Sequence, residues 1–439
     1  MGAHSLRPGP PGPPLTRPGD TLPSKKNSIV VVGAALAAIV LASALVLLDR
    51  SSRHHVPPHQ ASPATSSTLA PSPPGAPATA PSRPIPAPQA APPAGSYNVV
   101  SYGADPTGHH DSTQAIRSAV SAADKAPGNT VYFPAGRYLL DLNDGAKQDI
   151  DISANPVNIV GAGPASATIV EEIGAKTAGV TTSKTIFQIE TGANGQPGGG
   201  DGTTITGLTL DSATYDAGTT IIDYGNDTTL SHLTIMGARS DKQYNRDVFG
   251  VRVIAVCNHT DLSTRHRSDN IVDDLTITGQ GSAGNTDLDI SCQYNAFVSD
   301  VGDTGNGMDI YICDNVVLSG YTFMPGAVEA SPKSYVITGP SQNLTIRDIT
   351  TYGSGGQLQP SPNGYSITNT TITNETMKDP TMVLEIGDAD QTTIANSTIG
   401  ILKLNPDNSV AGLTVVNSSV ASVICGKKGD ITGLTGLAC

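Results

Sequence analysis

Single aliphatic residues recur along much of the chain in one spacing, aliphatic-x-x-aliphatic-x-aliphatic, with Thr, Asn, Ser or Asp between them. The pattern stands as Ile205-Leu208-Leu210, Leu230-Leu233-Ile235, Val272-Leu275-Ile277 and Leu318-Tyr321-Phe323. It returns more loosely as Ile346-Ile349, Ile367-Ile372, Ile394-Ile399, Val410-Leu413-Val415 and Ile431-Leu434. First members lie mostly 16–28 residues apart; of two longer gaps, one is divided by a weaker Val298-Val301 pair and the other is explained by long loops. Short strands at such a period describe a solenoid, in which no turn can bury its aliphatics alone and stacking turns complete one core. The leucine-rich run L-x-x-L-x-L-x-x-N is missing, so a parallel β-helix of three strands per coil is the better fit. The template supplies two of those strands, which puts the third just before it. Candidates for the third fall at Phe187–Glu190, Ile221–Tyr224, Val251–Val256, Leu288–Cys292, Met308–Ile312 and Ser334–Ile337, then near Gln357, Leu384, Leu402 and Val423.

Side chains alternate between the two faces of a strand, so the inward aliphatics fix the outward residues. Leu288, Ile290 and Cys292 inward leave Asp287, Asp289 and Ser291 outward. Met308, Ile310 and Ile312 inward leave Asp309 and Tyr311 outward, and Val251, Val253 and Ala255 leave Arg252 outward. The expected outer row is therefore Arg252, Asp289, Asp309 and then Lys333 or Tyr335. Asp289 and Asp309 are twenty residues apart, one coil. Parallel neighbours sit about 4.8 Å apart, so these two carboxylates should be stacked.

Ahead of the repeats the pattern changes. Asp111 as N-cap with Gln114 three residues on forms a capping box, and Ala115, Ile116, Ala119, Val120 and Ala123 make one apolar stripe of a helix. Residues 49–96 are rich in Pro, Ala and Ser with almost no large apolar residue, the composition of an extended disordered linker. Residues 29–48 are twenty residues without a charge, long enough as a helix to cross a hydrocarbon layer of about 30 Å. Lys25 and Lys26 on its N-terminal side place residues 1–28 in the cytoplasm and the rest outside, a single-pass anchor. A cleaved signal peptide is the competing reading, but its apolar core is usually shorter, and Ala42-Ser43-Ala44 sits inside the run.

Charge and cysteine content narrow the partners. Of the net −13, residues 1–96 contribute +5 and the remainder −18. A domain this acidic repels phosphate backbones, which argues against nucleic acid. It also repels acidic polysaccharide unless local basic residues or a cation intervene, for which Ca²⁺ with its preference for oxygen ligands is suited. Five cysteines do not make a disulfide framework at this size. A Cys425–Cys439 bridge is one expectation, with Cys257, Cys292 and Cys313 as small buried hydrophobes. Seven glycosylation sequons, at Asn226, Asn258, Asn343, Asn369, Asn374, Asn396 and Asn417, arise naturally in a Thr/Asn-rich chain.

The segment GADPTGHHDSTQAIRSAVSAA, followed by VYFPAGRYLL and VNIVGAG, resembles the opening of the pectate lyase superfamily, in particular its rhamnogalacturonase-like and epimerase-like branch. The match is specific over about residues 97–170. The resemblance implies a right-handed parallel β-helix over 97–439 with the early helix capping its N-terminal end. It also implies action on polysaccharide by cleavage, elimination or epimerisation, although the superfamily includes non-catalytic members.

A stacked Asp289–Asp309 pair would hold one carboxyl protonated beside an ionised partner, or would hold Ca²⁺ against a uronate while Arg252 or Lys333 takes a proton. Gly284-Asn285-Thr286-Asp287 is similar to the Asn-Thr-Asp motif of polygalacturonases, which implies a catalytic role for Asp287. Gly-Asp-Asp, Gly-His-Gly and Arg-Ile-Lys are absent, which sets the chain apart from that enzyme's usual form. Tyr311 and Tyr335 are the available stacking platforms in a chain without Trp, and His266, between Arg265 and Arg267, can meet an anionic sugar from a loop. Two functions follow: a monomeric extracellular lyase or glycoside hydrolase acting on acidic polysaccharide, or a surface β-helix that binds glycan without catalysis.

Overall fold

The computed structural model describes residues 87–141, 150–171, 185–192, 198–211, 219–236, 249–254, 268–278, 286–325, 333–359, 366–387, 389–404, 410–425 and 431–432. The chain divides into two units, Met1–Pro71 and Ser72–Cys439, and all described residues belong to the second. The transmembrane reading of 29–48, the cytoplasmic tail, most of the linker and the His266 loop lie outside the described residues. No helix among those described is long and apolar enough to cross a membrane.

Every pairing between the named strands is parallel, and three ladders run through the coils. The first stacks Ile150–Ile152, Phe187–Ile189, Ile221–Asp223, Phe249–Ile254, Thr286–Ser291, Met308–Tyr311, Tyr335–Thr338, Gln357–Gln359, Val383–Ile386, Thr398–Leu404 and Ser419–Ile424. From Phe187 onward these are the third strands expected from the gaps before each repeat, and Ile150–Ile152 adds one ahead of them. The second and third ladders are the two halves of the template. Strands Thr204–Asp211, Thr229–Met236, Ile271–Thr278 and Phe297–Asp303 each serve both.

The template breaks simple alternation because the chain turns a corner inside it. Gly207, His232, Asp274 and Asp300 hold φ of 72°, 50°, 50° and 50°, and each directly precedes the second aliphatic. A left-handed residue resets the phase, so inward positions fall three apart across the bend and two apart after it. Such backbone is open to Gly and tolerated by Asn and Asp, whose short polar side chains bond locally. Later coils use Asp348, Asn374, Asn396 and Asn417 at the same corner. The other corner, between the first and second ladders, carries Asn295, Asn315, Asn343 and Asn369. There Asn369 Nδ2 donates to Asn343 Oδ1 at 2.6 Å, and Asn315 Nδ2 donates to Asn295 Oδ1. Several of the sequon asparagines thus stand where the backbone needs them.

Inside, Leu208, Leu233 and Leu275 stack in register, as do Leu210, Ile235 and Ile277, all essentially inaccessible. Truncating one such leucine to alanine costs about 2–5 kcal/mol. At the N-terminal end the helix Thr113–Ala123 buries Ile116, Ala119, Val120 and Ala123, as its stripe predicts. Its N-cap is Ser112 rather than Asp111. Asp111 ends the preceding strand, and its Oδ1 still accepts from the Thr113 amide at 2.9 Å. Upstream, the Gln89 amide donates to the Gly161 carbonyl at 3.3 Å, so the last residues before the domain lie against a coil. Cys292 and Cys425 are each in a disulfide and Cys313 is a buried free thiol; Cys292 is therefore no simple core hydrophobe.

Candidate functional site

The first ladder places Arg252, Asp289 and Asp309 on three successive strands in one-to-one register, Arg252 opposite Asp289 and Asp289 opposite Asp309. Val336 follows in the row, not Lys333 or Tyr335. Asp309 is half-buried and its Oδ2 accepts from Thr286 Oγ1 at 2.9 Å. Asp289 is 3% exposed although its strand points it outward, and Ser291 Oγ donates to its Oδ1. These hydroxyls help fix the orientation of both side chains. Among the described residues no group of three or more His, Cys, Asp or Glu side chains is gathered around a metal position. The two stacked carboxylates alone fall short of the six to eight oxygens Ca²⁺ takes, so waters or a substrate carboxylate would have to complete it.

Four expectations need correction. Tyr335 points inward, is fully buried and donates to Glu375 Oε2 at 2.9 Å, so it is no stacking platform. Lys333 precedes the strand Tyr335–Thr338 and is half-buried outside the row. Asp287 is 1% exposed, faces the interior, and accepts from the Asn306 amide at 2.8 Å. Its neighbours in register are Gly307 and then Ser334, a corner position where two consecutive residues face inward, which strict alternation does not allow for. Cys292 and Ile312, with φ of 58° and 55°, sit past the strand ends and pack together with Tyr311 in a small cluster apart from the main core. Tyr311 itself stays on the outer side, half-buried.

The raised carboxyls lie in the interior. Burial pushes Asp223 up to about 7, against hydrogen bonds from the Thr228 hydroxyl and the Gly225 amide. Burial likewise lifts Glu375 to about 7, against the bond from Tyr335. Asp303 is held well above the ordinary range by burial first and then by the adjoining Asp287 carboxylate. Tyr321 donates toward Asp303 Oδ2 and the Ser334 carbonyl, both at 2.8 Å. Two adjoining carboxyls, one held well above the ordinary range, do exist here, but the pair is Asp287–Asp303 and it faces the lumen.

The family described as rhamnogalacturonase A/epimerase, pectate lyase-like is matched over residues 96–324, more than half of the chain. The chain belongs to that family. Curated relatives include alginate lyase 7 of Azotobacter vinelandii, 46% identical over 67 residues, which are 15% of this chain and 8% of that protein. Mannuronan C5-epimerase AlgE1 of the same organism is 38% identical over 85 residues, 19% of this chain and 6% of that protein. The chain thus spans less than a tenth of these relatives. Among solved structures, the A-module of the Azotobacter vinelandii mannuronan C-5 epimerase AlgE6 aligns with a TM-score of 0.45 at 16% identity. That alignment covers 78% of this chain and 98% of the module. The Streptococcus pneumoniae surface protein and adhesin PfbA aligns with a TM-score of 0.38 at 15% identity, over 78% of this chain and 97% of PfbA.

The interior acids did leave a trace in the sequence. Asp303 ends the weak repeat Val298-x-x-Val301-x-Asp303, and Glu375 takes the second aliphatic place in Ile372-x-x-Glu375-x-Met377. A repeat that loosens at an acidic residue marks a charge in an inward position.

Proposed function

We propose that the domain binds and processes an acidic polysaccharide along the outer face of the first ladder, with Asp289 and Asp309 as the reacting carboxyl pair and Arg252 as the anion-binding residue. The observation that carries this reading is the unbroken register of Arg252, Asp289 and Asp309 on neighbouring strands. About 4.8 Å per strand is close to one sugar residue, so a chain lying along the axis meets one row position per sugar. Tyr311, next to the row, offers a ring edge, and Lys333 a second cation near one end. The relatives' names, an alginate lyase and mannuronan epimerases, make polyuronates the first substrates to try. Proton transfer at C5 of a uronate, by elimination or epimerisation, needs an acid, a base and a neutralised carboxylate, and this row holds residue types for all three.

The second reading, a glycan-binding β-helix without turnover, draws on the inward turn of Asp287, which removes it from any substrate. A panel of alginate, polymannuronate, polygalacturonate and neutral glucans, read at 235 nm and by reducing ends, separates the two. Asp289→Asn and Asp309→Asn should each abolish turnover of the active substrate with the fold retained. If both keep full activity, the outer row is not the site. Binding without turnover on every substrate would favour the scaffold.

The anchor belongs to the same proposal: residues 29–48 hold the chain in a membrane with the β-helix outside. Protease added to intact cells should release a soluble fragment cut between residues 49 and 96. A domain protected until lysis would refute that orientation.

A further inference from the structure

The corner between the third and first ladders gathers polar groups that the proposed outer site does not use. Asp287 and Asp303 adjoin there, 1% exposed each, with Tyr321 and Ser334 fully buried beside them and Asn306 8% exposed. Tyr321 bonds to both Asp303 Oδ2 and the Ser334 carbonyl at 2.8 Å, which ties the three coils together at this point. Three buried side-chain atoms of the same corner meet no hydrogen-bond partner: Asp303 Oδ1, Ser334 Oγ and Asn306 Nδ2. Each such atom costs about 1–3 kcal/mol if it stays bare. Among the residues whose side-chain burial is described, no lysine or arginine is buried, so none of them enters the lumen to balance two carboxylates.

A proton shared between Asp287 and Asp303 would satisfy Asp303 Oδ1 but leave Ser334 Oγ and Asn306 unanswered. A divalent ion placed among them would answer all of them, with two carboxylates, a hydroxyl and an amide oxygen offering up to six oxygens. It matches the charge of two carboxylates, takes a serine hydroxyl as a neutral ligand, and takes the Asn306 amide oxygen after a half-turn of a group whose N and O have nearly the same shape. All the groups are then oxygens, the ligand type of a hard cation.

We propose that this corner encloses one hard divalent cation of the calcium class, held by Asp287, Asp303, Ser334 and Asn306 inside the solenoid. The site is distinct from the outer Asp289–Asp309 pair and stands whether or not that pair is catalytic. Bound there, the ion would hold Asp287 at the start of Thr286–Ser291 and so stiffen the strand that carries Asp289.

The test uses the purified full chain, stripped with chelator and then equilibrated with CaCl₂, MgCl₂ or NaCl at matched ionic strength. Metal content after desalting and the thermal midpoint are read together. We expect one calcium per chain and a raised midpoint with CaCl₂ but not NaCl. Asp303→Asn should lose the retained calcium and the shift, Ser334→Ala should weaken binding at least several-fold, and Asp309→Asn should leave both unchanged. Because Ser334→Ala removes only a hydroxyl, it keeps the test decisive should Asp303→Asn fail to fold. No retained calcium and no shift in the wild-type chain would overturn the proposal in favour of a shared proton. Calcium lost in Asp309→Asn but kept in Asp303→Asn and Ser334→Ala would overturn it in favour of the outer pair. Loss of polysaccharide binding without loss of lumen calcium would strike only the function proposed above.

Discussion

Glu375 occupies an inward place that other coils fill with Leu208, Leu233, Leu275, Val301, Tyr321 and Ile349. Burial raises its carboxyl from 4.5 to about 7, and Tyr335 offers it a single hydrogen bond. The folded chain therefore prefers the protonated acid. This group's contribution to stability is full below its unfolded value of 4.5 and is lost as pH rises through about 7. At about 1.4 kcal/mol per pH unit, the loss is roughly 3 kcal/mol. Glu375→Gln replaces the acid with a neutral amide of the same shape that still accepts from Tyr335. The variant should match the wild type near pH 4.5 and be the more stable of the two at pH 8, by roughly 3 kcal/mol. Urea titrations of both proteins at several pH values check this, since their difference cancels every other titrating group, including Asp223. If the two lose stability in parallel across the window, or if Glu375→Gln is the weaker at pH 8, Glu375 is not buried as described.

Two further perturbations address the coil geometry. A Cβ at Gly356 would fall 2.1 Å from the Tyr335 ring, so Gly356→Ala should cost about 3 kcal/mol in urea unfolding. Combining it with Tyr335→Leu should recover part of that loss. Asn369→Ala removes the bond to Asn343 and puts alanine at φ 52°, for about 2 kcal/mol together. Asn369→Gly should cost about 1 kcal/mol less by thermal melt, because only the bond is lost.

The aliphatic spacing revealed the solenoid because it is repeated in most coils and tolerates little change. Its two-residue gap also held the corner, legible once the left-handed residue before Leu208, Leu233 and Leu275 is recognised. The outer row could be read because alternation is reliable in mid-strand, as at Asp289 and Asp309. It failed at strand ends, where Asp287 turns inward and Cys292 turns out of the core. Tyr335 was misplaced by one position for the same reason: it opens its strand, and one residue of error exchanges the two faces. The Asp287–Asp303 contact joins residues on different ladders, and no local pattern encodes such a pair.

The register of the first ladder carries a consequence for how this protein can change. Arg252 and Asp289 pair one-to-one, as do Asp289 and Asp309, although the chain between the first two is far longer than the twenty-residue step between the second two. The rise from coil to coil is thus set by backbone pairing and inward aliphatics, while the length of the excursion between strands leaves no mark on it. Insertions and deletions at these exits can accumulate without moving a single outer residue relative to its neighbours. Different flanking sequences can then be tried around an unchanged row, so the spacing of the row and the residues beside it are free to evolve separately.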